Sequence, residues 1–284
     1  CAEQDKMTAG HSSKNVIEES QVNELLAKVL SKSKYSRIHD GLIESLIRDE
    51  LGKRANEKEL LKAVTAKLHQ VGAAYFQRSP AYARWLEKLA DCPVDIHSAE
   101  AKALCAELMG AHSSTRERLP IINEFFNTTL AGIAPVKSIL DLACGFNPLA
   151  LAWMPVAAEI QYFGCDIFSD MTDFLNEFFR HMGLAGTFSI CDLTGMQFTR
   201  KAQVAFLLKT LPCLEQIEKN VSVDLLERIP ADYLLISYPV RSLGGRAKGM
   251  GKTYETQFND LAARMKWDFK RFEFESELAF LVKK

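Results

Sequence analysis

Long apolar runs are missing from this sequence: no stretch reaches the roughly 18 uninterrupted apolar residues that a membrane-spanning helix needs. The N-terminal segment also lacks a basic start followed by an apolar run, which is the pattern of a secretory signal. The seven cysteines show neither the Cys-x-x-Cys spacing of a zinc site nor a compact disulfide framework. We therefore expect a soluble cytoplasmic protein with reduced thiols, no bound metal and no membrane partner.

A strong excess of one charge is also missing, because 35 Lys and Arg face 36 Asp and Glu, for a formal net charge of −1. Overall electrostatics therefore do not indicate a nucleic-acid binder, and only a local patch could act as one. Residues 28–78 hold eleven basic and six acidic side chains, a balance that a solvated helix face also explains. Residues 241–252 hold four basic side chains and no acid in a glycine-rich loop. This second run favours an anionic partner.

The first third of the sequence predicts one helix after another. Asp40 is a candidate N-cap for an apolar pattern that stops at Gly52. Asn56 and Glu59 have the spacing of a capping box. Further helices are predicted to start at Ser79-Pro80, to cover Ala99–Met109, and to run from Ser114 to about Leu130. We therefore predict an N-terminal helical domain over residues 1–110.

After Pro135 the pattern changes to short apolar runs that alternate with helical segments. The predicted strands are Ser138–Leu142, Gln161–Cys165, Thr187–Ile190, Val204–Leu208, Tyr233–Ser237, Trp267–Phe274 and Leu278–Val282. The first five alternate with helices and so predict a parallel sheet, whereas the last two are separated only by a hairpin turn. Residues 111–284 are thus predicted to form an α/β domain with a doubly wound seven-stranded sheet whose last strand is antiparallel. Class I S-adenosylmethionine-dependent methyltransferases share this architecture.

The most informative segment is residues 139–149, where an apolar strand ends in Asp141 and Gly145 follows four residues later. Pro148 suits the first turn of the next helix, so the pattern predicts a tight turn at the carboxyl edge of the sheet, where ligands bind in open α/β folds. Asn147 stands where a second glycine is usual, and Asn tolerates a left-handed backbone better than other non-glycine residues. No third glycine follows, so a dinucleotide pyrophosphate loop fits poorly. A methionine-type cofactor carries no phosphate and needs no such loop.

Two more acids end predicted strands. Asp166 comes 21 residues after Gly145, the reach at which a carboxylate accepts both ribose hydroxyls of a nucleoside cofactor. Asp192 ends the third strand, where it is expected to bind the adenine amino group, with Leu193 as an apolar edge. Each acid alone could be a helix cap, but one ligand explains three at successive strand ends better. Arg118, on the helix that leads into the sheet, is expected to clamp the cofactor's carboxylate.

Four segments resemble the signature blocks of the aminoglycoside-resistance 16S ribosomal RNA guanine-N7 methyltransferases: His112–Leu119, Leu140–Pro148, Leu208–Pro212 and Ser237–Met250. They occur in the family's order, and the similarity runs from about Ala27 to the C-terminus. Ser113, Ala247 and Cys213 depart from the family's usual residues, and none of these departures removes a charged contact. The resemblance implies methylation of guanine N7 in the decoding-site helix of 16S ribosomal RNA within the assembled small ribosomal subunit, which confers aminoglycoside resistance.

The resemblance also implies roles for individual residues and for the helical domain. S-adenosylmethionine would be held by His112, Ser113, Thr115, Arg118, Gly145, Asp166, Ile167, Asp192, Leu193 and Leu208. The RNA would be contacted by Lys209, Arg241, Arg246 and Lys248. Residues 1–110 would dock on RNA and ribosome, residues 111–284 would carry the reaction, and the protein would act as a monomer.

The chemistry agrees with N7 as the target, because N7 carries an in-plane lone pair and no proton and so needs alignment rather than a general base. The turn at Lys209–Pro212 lacks the Asn/Asp-Pro-Pro-aromatic sequence expected for methylation of an exocyclic amine. Lys209 is instead a candidate for positioning the target through a phosphate or guanine O6. Phe146 and Tyr238 are candidates for stacking on the target base.

Other functions stay open at this point. Pro212-Cys213 falls where cytosine-C5 methyltransferases place a nucleophilic cysteine, although the Asp that usually precedes that pair is absent. Another RNA position such as adenine N1, a small-molecule substrate, and a cofactor-binding protein without catalysis are further alternatives. The cations of residues 241–252 argue against a small-molecule enzyme. The presence of Asp166, Asp192 and Arg118 together argues against an inactive fold.

Overall fold

The structure, a computed structural model, describes residues 19–76, 79–193, 196–217, 221–240 and 250–284. It divides the chain into two compact units, Cys1–Ala73 and Ala74–Lys284. No helix in the described ranges is long and apolar enough to cross a membrane.

The boundary between the units differs from the predicted one after residue 110. The two helices that follow residue 80 belong to the second unit, because their apolar faces are buried in its core. Trp85 and Leu89 of the first of these helices, and Leu104 and Leu108 of the second, are part of that core. Amphipathic helices settle where their apolar stripe is covered, and here the sheet of the second unit provides the cover.

The first unit has three described helices: α1 over residues 19–30, α2 over Asp40–Glu50 and α3 over Glu57–Val71. Asn56 caps α3 as predicted, since its side chain accepts a hydrogen bond from the Glu59 N–H at 3.0 Å. The cap of α2 is His39 rather than Asp40, because the His39 ring accepts the Leu42 N–H and Asp40 is already helical.

Several basic side chains of the first unit are paired with acids of the same unit. Lys28 lies 2.7 Å from Glu24 and 2.8 Å from Glu57. Arg48 lies 2.7 Å from Glu19. Such pairs neutralise part of the positive run that the sequence places between residues 28 and 78, so the cations available to an anionic partner are fewer than the sequence count.

The second unit is a seven-stranded sheet with a hydrophobic core on each face. Its helices are α4 (Tyr82–Ala90), α5 (Ala99–Met109), α6 (Ser113–Arg118), α7 (Ile122–Leu130), α8 (Ser169–His181), α9 (Leu211–Ile217), α10 (Val221–Arg228) and α11 (Met250–Met265). Its strands are β1 (Val136–Leu142), β2 (Val156–Asp166), β3 (Gly186–Ile190), β4 (Ala202–Leu208), β5 (Ala231–Pro239), β6 (Asp268–Glu273) and β7 (Glu277–Lys283).

The strand order is β3-β2-β1-β4-β5-β7-β6, with β1 to β5 parallel and β7 antiparallel to both of its neighbours. This confirms the predicted doubly wound sheet with an antiparallel last strand. The predicted hairpin between β6 and β7 is also present, and the Phe274 N–H donates to the Glu277 carbonyl at 2.9 Å.

Two of the predicted crossover helices are absent from the described residues. A 3-10 helix, Asn147–Trp153, connects β1 to β2, and Pro148 lies in its first turn as predicted. Between β3 and β4, residues 191–193 and 196–201 contain no helix.

Two predicted helices differ from the observed ones. The helix expected from Ser114 to Leu130 is interrupted by a 3-10 turn around Pro120, because proline has no N–H to donate to the preceding turn. The helix expected at Ser79-Pro80 begins only at Tyr82 and has no side-chain cap.

The register brings the functional segments to one edge of the sheet. Asp166 pairs with Ile190, and Leu208 pairs with Ser237, so β2 to β5 end near a common level. Glu277 begins the antiparallel strand β7 opposite Pro239. The carboxyl edge of the parallel strands therefore also receives the first residue of the last strand.

Candidate cofactor and target site

The turn after β1 uses left-handed backbone at Ala143 and Gly145, where φ is 55° and 51°. Asn147 lies in the 3-10 helix that follows and does not use the left-handed conformation that Asn tolerates. Position 145 favours glycine for two reasons. A Cβ there would lie 3.1 Å from Cε1 of His112, and a residue with a side chain would be strained at this left-handed φ.

Asp166 is fixed against this turn. Its Oδ2 accepts the Gly145 N–H at 2.9 Å, and its Oδ1 accepts the Ile167 N–H at 2.7 Å. Burial raises the pKa of Asp166 to about 6, although the backbone N–H groups that it accepts counteract the rise. Hydrogen bonds to the Asp166 carboxylate thus bring three of the predicted cofactor residues together: Gly145, Asp166 and Ile167.

The ends of β3 and β4 supply the remaining strand-end residues of the prediction. The Cys191 N–H donates to the Asp166 carbonyl at 2.9 Å, and Asp192 follows directly. Asp192 is half-buried and Leu193 is buried. Leu208, the last residue of β4, is buried as well. These positions agree with the predicted order along the sheet, while their contact with a cofactor stays a prediction.

Asp141 differs from the other two strand-end acids, because it is completely buried. Its Oδ2 accepts the Tyr162 hydroxyl at 2.6 Å, and its Oδ1 has no hydrogen-bond partner within the part of the chain that is described. Burial raises the pKa of Asp141 to about 7. This acid belongs to the interior of the sheet rather than to its ligand-binding edge.

His112 packs against the glycine turn within an aromatic cluster. Its ring stacks on Tyr75, with centroids 5.3 Å apart and 12° between the planes, while Phe76 and Phe146 meet it edge-on. The buried Nδ1 has no hydrogen-bond partner among the described residues. Burial, assisted by nearby cations, lowers the pKa of His112 to about 3. The ring is therefore neutral and keeps one nitrogen available.

The hydroxyls of Ser113 and Thr115 bind the backbone. Ser113 Oγ donates to the Tyr75 carbonyl at 3.1 Å, and Thr115 Oγ1 donates to the Met109 carbonyl at 2.7 Å. Both bonds hold the start of α6, and with it His112, in place. Direct contact of either hydroxyl with a cofactor stays a prediction.

The residues at this edge fit the predicted cofactor. The Gly145 turn leaves room only for the His112 ring beside its backbone, Asp166 offers a carboxylate next to this turn, and His112 Nδ1 is a buried polar atom without a partner among the described residues. Within the described part of the chain, no group of three or more His, Cys, Asp or Glu side chains could hold a metal ion.

Arg118 does not present a free guanidinium to this edge. Its side chain is completely buried and donates to both oxygens of Glu277, from Nε at 3.0 Å and from Nη2 at 2.6 Å. Its Nη1 donates to Asn147 Oδ1 at 2.5 Å. The predicted clamp on the cofactor's carboxylate does not match this arrangement, because Glu277 already fills the bidentate fork. Arg118 instead supports the turn after β1 through Asn147.

Lys209 is buried rather than facing outward. It follows β4 directly, with a left-handed φ of 62°, and its side chain is 4% exposed. Its Nζ lies 2.7 Å from Glu117 Oε2 and 3.6 Å from Glu277 Oε2. The predicted contact of Lys209 with RNA does not match this position, because two carboxylates already enclose the ammonium group.

Cys213 is held as a neutral thiol. Its Sγ lies 2.8 Å from the Tyr75 hydroxyl and 3.5 Å from the Lys209 carbonyl. Burial raises the pKa of the Cys213 thiol. A nucleophilic cysteine requires a lowered pKa, so this environment disfavours the cytosine-C5 alternative.

Cys165 and Cys191 lie next to each other, with a Cα–Cα distance of 5.8 Å. They lie on the neighbouring strand ends of β2 and β3, a proximity that their separation of 26 residues does not reveal. Cys92, Cys105, Cys144 and Cys213 are free thiols.

The other predicted RNA contacts, Arg241, Arg246 and Lys248, lie outside the described residues. Of the two stacking candidates, Phe146 is completely buried, and Tyr238 is 4% exposed and stacks on Tyr254 with centroids 5.1 Å apart. Both aromatic rings are thus occupied by core contacts.

Sequence reasoning missed Tyr75, Glu117 and Glu277. Glu277 carried one usable signal, since it is a lone acid at the start of an otherwise apolar strand, and buried acids require partners. Tyr75 and Glu117 gave no such signal, because their neighbours at the site come from distant parts of the chain.

Comparisons with known proteins point to one family. The family described as "Ribosomal RNA methyltransferase (FmrO)" matches residues 31–281. A 16S rRNA (guanine(1405)-N(7))-methyltransferase of Frankia casuarinae is 30% identical over 270 residues, covering 94% of this chain and 95% of that protein. A protein of the same description from Micromonospora echinospora is 29% identical, covering 94% of this chain and 98% of its own. The crystal structure of the 16S rRNA methyltransferase RmtF in complex with S-adenosyl-L-homocysteine superposes with a TM-score of 0.80 at 28% identity, covering 93% of this chain and 98% of that chain.

Proposed function

Because the chain belongs to the FmrO family of ribosomal RNA methyltransferases, we propose that it transfers a methyl group from S-adenosylmethionine to N7 of a guanine in 16S ribosomal RNA. The named relatives modify guanine 1405, and the same base, in the decoding-site helix of the assembled small subunit, is the proposed target. The expected consequence is aminoglycoside resistance. The observation that carries the proposal is the Asp166 carboxylate fixed on the Gly145 turn, in a chain that matches this family over nearly its whole length.

The proposed cofactor contacts follow the strand ends. Asp166 accepts the ribose hydroxyls, Asp192 and Leu193 hold the adenine, and the Gly145 turn receives the methionine end beside His112. The bound cofactor supplies an electrophilic methyl group carried by a sulfonium. RmtF, with S-adenosyl-L-homocysteine bound, supports a ligand of this class.

The chain's own contribution is to position and enclose the reacting groups. The Arg118–Glu277 pair fixes Asn147 and so holds the turn after β1. The aromatic cluster around His112 packs against the Gly145 turn. Guanine N7 has no proton to lose, so alignment and charge stabilisation suffice for the transfer. The neutral Cys213 agrees with such a reaction.

The proposed partner is the small ribosomal subunit. Residues 1–110 and the cations Arg241, Arg246 and Lys248 are proposed to contact the RNA backbone, which dominates recognition of structured RNA. The protein is proposed to act as a monomer in the cytoplasm, where assembled subunits are found.

Methyl transfer to isolated small subunits tests the function. Purified full-length protein, subunits and radiolabelled S-adenosylmethionine should give one methyl group per subunit, mapped to N7 of guanine 1405 by strand scission at that base. Free 16S ribosomal RNA serves as the comparison substrate. A methyl group on another base, or no transfer to subunits, would contradict the proposal.

A further inference from the structure

We propose that Glu117 is the catalytic residue that reads the target guanine and stabilises the positive charge which the base acquires on methylation. This inference rests on the proposed function and names the group on the chain that faces the RNA base.

Glu117 is the only partly exposed member of a charge network that also contains Lys209, Glu277 and Arg118. Arg118 and Glu277 are completely buried, and Lys209 is 4% exposed, whereas the Glu117 side chain is 32% exposed. Lys209 Nζ holds Glu117 Oε2 at 2.7 Å. No other described side chain bonds to Glu117, so Oε1 is available to a ligand. The network therefore fixes one oxygen of a carboxylate and leaves the other accessible.

The position of Glu117 is the side of the sheet edge where the target must enter. The predicted adenosine contacts Asp166, Asp192 and Leu193 lie at the ends of β2 and β3, on one side of β1, and β4 lies on the other side, which assigns the β4 side to the acceptor base. Lys209, which binds Glu117, is the first residue after β4. The Cys213 thiol lies 3.5 Å from the Lys209 carbonyl and 2.8 Å from the Tyr75 hydroxyl. Burial, followed by the charges of Cys213 and Glu117, raises the pKa of Tyr75.

The reaction creates a positive charge on the guanine ring, and a carboxylate can stabilise that charge. The N7 lone pair forms the new bond to the methyl carbon, the carbon–sulfur bond breaks, and its electron pair stays on sulfur as a neutral thioether. The positive charge passes from sulfur to the guanine ring, and no proton is transferred. Delocalisation of this charge strengthens N1–H and N2–H₂ as donors. Hydrogen bonds from these groups to Glu117 therefore tighten in the transition state, which is the condition for catalysis.

The same contact selects guanine. Guanine offers the N1–H and N2–H₂ donors to a carboxylate, whereas adenine presents an unprotonated N1 that a carboxylate repels. A site built to accept hydrogen bonds rejects a base that lacks the donors, because the site's polar group is left unpaired. N7 lies on the imidazole ring, away from the N1 and N2 groups, and so stays free to face the methyl group.

The test compares full-length wild type with Glu117→Gln, Glu117→Asp and a matched control, Glu124→Gln, which removes an exposed carboxylate on α7. Single-turnover methylation of small subunits, KM for subunits, S-adenosylmethionine affinity by calorimetry, and affinity for fully methylated subunits are measured. We expect Glu117→Gln to lower the methylation rate constant by about 100-fold, with cofactor affinity and KM within about twofold. Its affinity for methylated subunits should fall, Glu117→Asp should recover part of the rate, and the control should match wild type.

The slower methylation by Glu117→Gln could also come from the Lys209 ammonium group that this variant leaves without its carboxylate partner. The double variant Glu117→Gln/Lys209→Met removes that ammonium group and so distinguishes the two causes. Our proposal expects the double variant to stay as slow as Glu117→Gln. Recovery of the rate in the double variant, or an unchanged rate in Glu117→Gln while wild type methylates guanine N7, would overturn the role of Glu117 and leave the proposed function intact. Failure of wild type to methylate guanine N7 would overturn both.

Discussion

Arg118 and Glu277 form a completely buried bidentate ion pair across 159 residues of sequence. Arg118 ends the short helix before the sheet, and Glu277 begins its last strand. The pair links the first and last parts of the second unit at the carboxyl edge and also reaches the turn after β1 through Asn147. The pair therefore gives Arg118 a role in the scaffold of the second unit.

Removing one member of this pair should destabilise the unit rather than only weaken cofactor binding. Arg118→Met leaves Glu277 buried without its main partner, a change that costs about 3–5 kcal/mol. Urea unfolding of the full chain checks this value. The double variant Arg118→Met/Glu277→Leu should recover much of the loss, because no buried charge is left unpaired. Equal stability of Arg118→Met and wild type would contradict the structural role.

Asp166→Asn should weaken S-adenosylmethionine binding by about 10- to 100-fold, since hydrogen bonds to a charged group contribute about 1.5–3 kcal/mol. Calorimetric titration of the folded variant measures the loss. Asp173→Asn, which changes an exposed acid on α8, is the matched control and should bind as wild type does. Equal affinities in the two variants would remove Asp166 from the site.

Asp141→Asn should become more stable relative to wild type as pH rises. The folded pKa of Asp141 is about 7, against an ordinary value of 3.8, so between these values the folded state keeps a proton that the unfolded state has lost. Wild-type stability therefore falls through this window, by about 1.4 kcal/mol per pH unit, and the variant lacks this term. Thermal melts from pH 4 to pH 8 give the difference. Parallel curves for the two proteins would argue against a raised pKa.

Cys213→Ser should keep methyltransferase activity within a few-fold of wild type. The thiol is neutral and bonded to Tyr75, the serine hydroxyl can replace that bond, and attack by N7 needs no enzyme nucleophile. Turnover on small subunits measures the effect. Abolished turnover in a folded variant, together with an RNA adduct trapped by a fluorinated pyrimidine, would restore the cytosine-C5 alternative.

A chain that begins at Ala74 should retain the fold of the second unit, whereas one that begins after residue 110 should not fold. The longer deletion removes α4 and α5, and with them Trp85, Leu89 and Leu108 of the core. Each buried side chain of this kind contributes about 1.5–3 kcal/mol, so their sum rivals the whole stability of a typical domain. Circular dichroism melts of the two truncated proteins decide. A cooperative melt after the longer deletion would support the predicted boundary instead.

Local periodicity in the sequence was enough to predict the strands and their order of appearance. The alternation of apolar runs with helical segments predicts the parallel part of the sheet, and the short junction at Glu275-Ser276 predicts the antiparallel end. The turn at Asp141–Gly145 and the acid at position 166 could also be located, because parallel strands place their carboxyl ends at one edge.

Only the tertiary structure decided which charged side chains pair with each other. Arg118, Lys209, Glu117 and Glu277 are polar residues without a distinguishing local pattern, and their pairing depends on the strand order that places β7 beside β5. The same holds for Cys165 with Cys191 and for Tyr75 with Cys213, since each contact joins separate elements. Periodicity reports which side of an element is buried, but the partner of a buried charge is fixed by contacts between elements distant in sequence, and sequence separation carries no information about those.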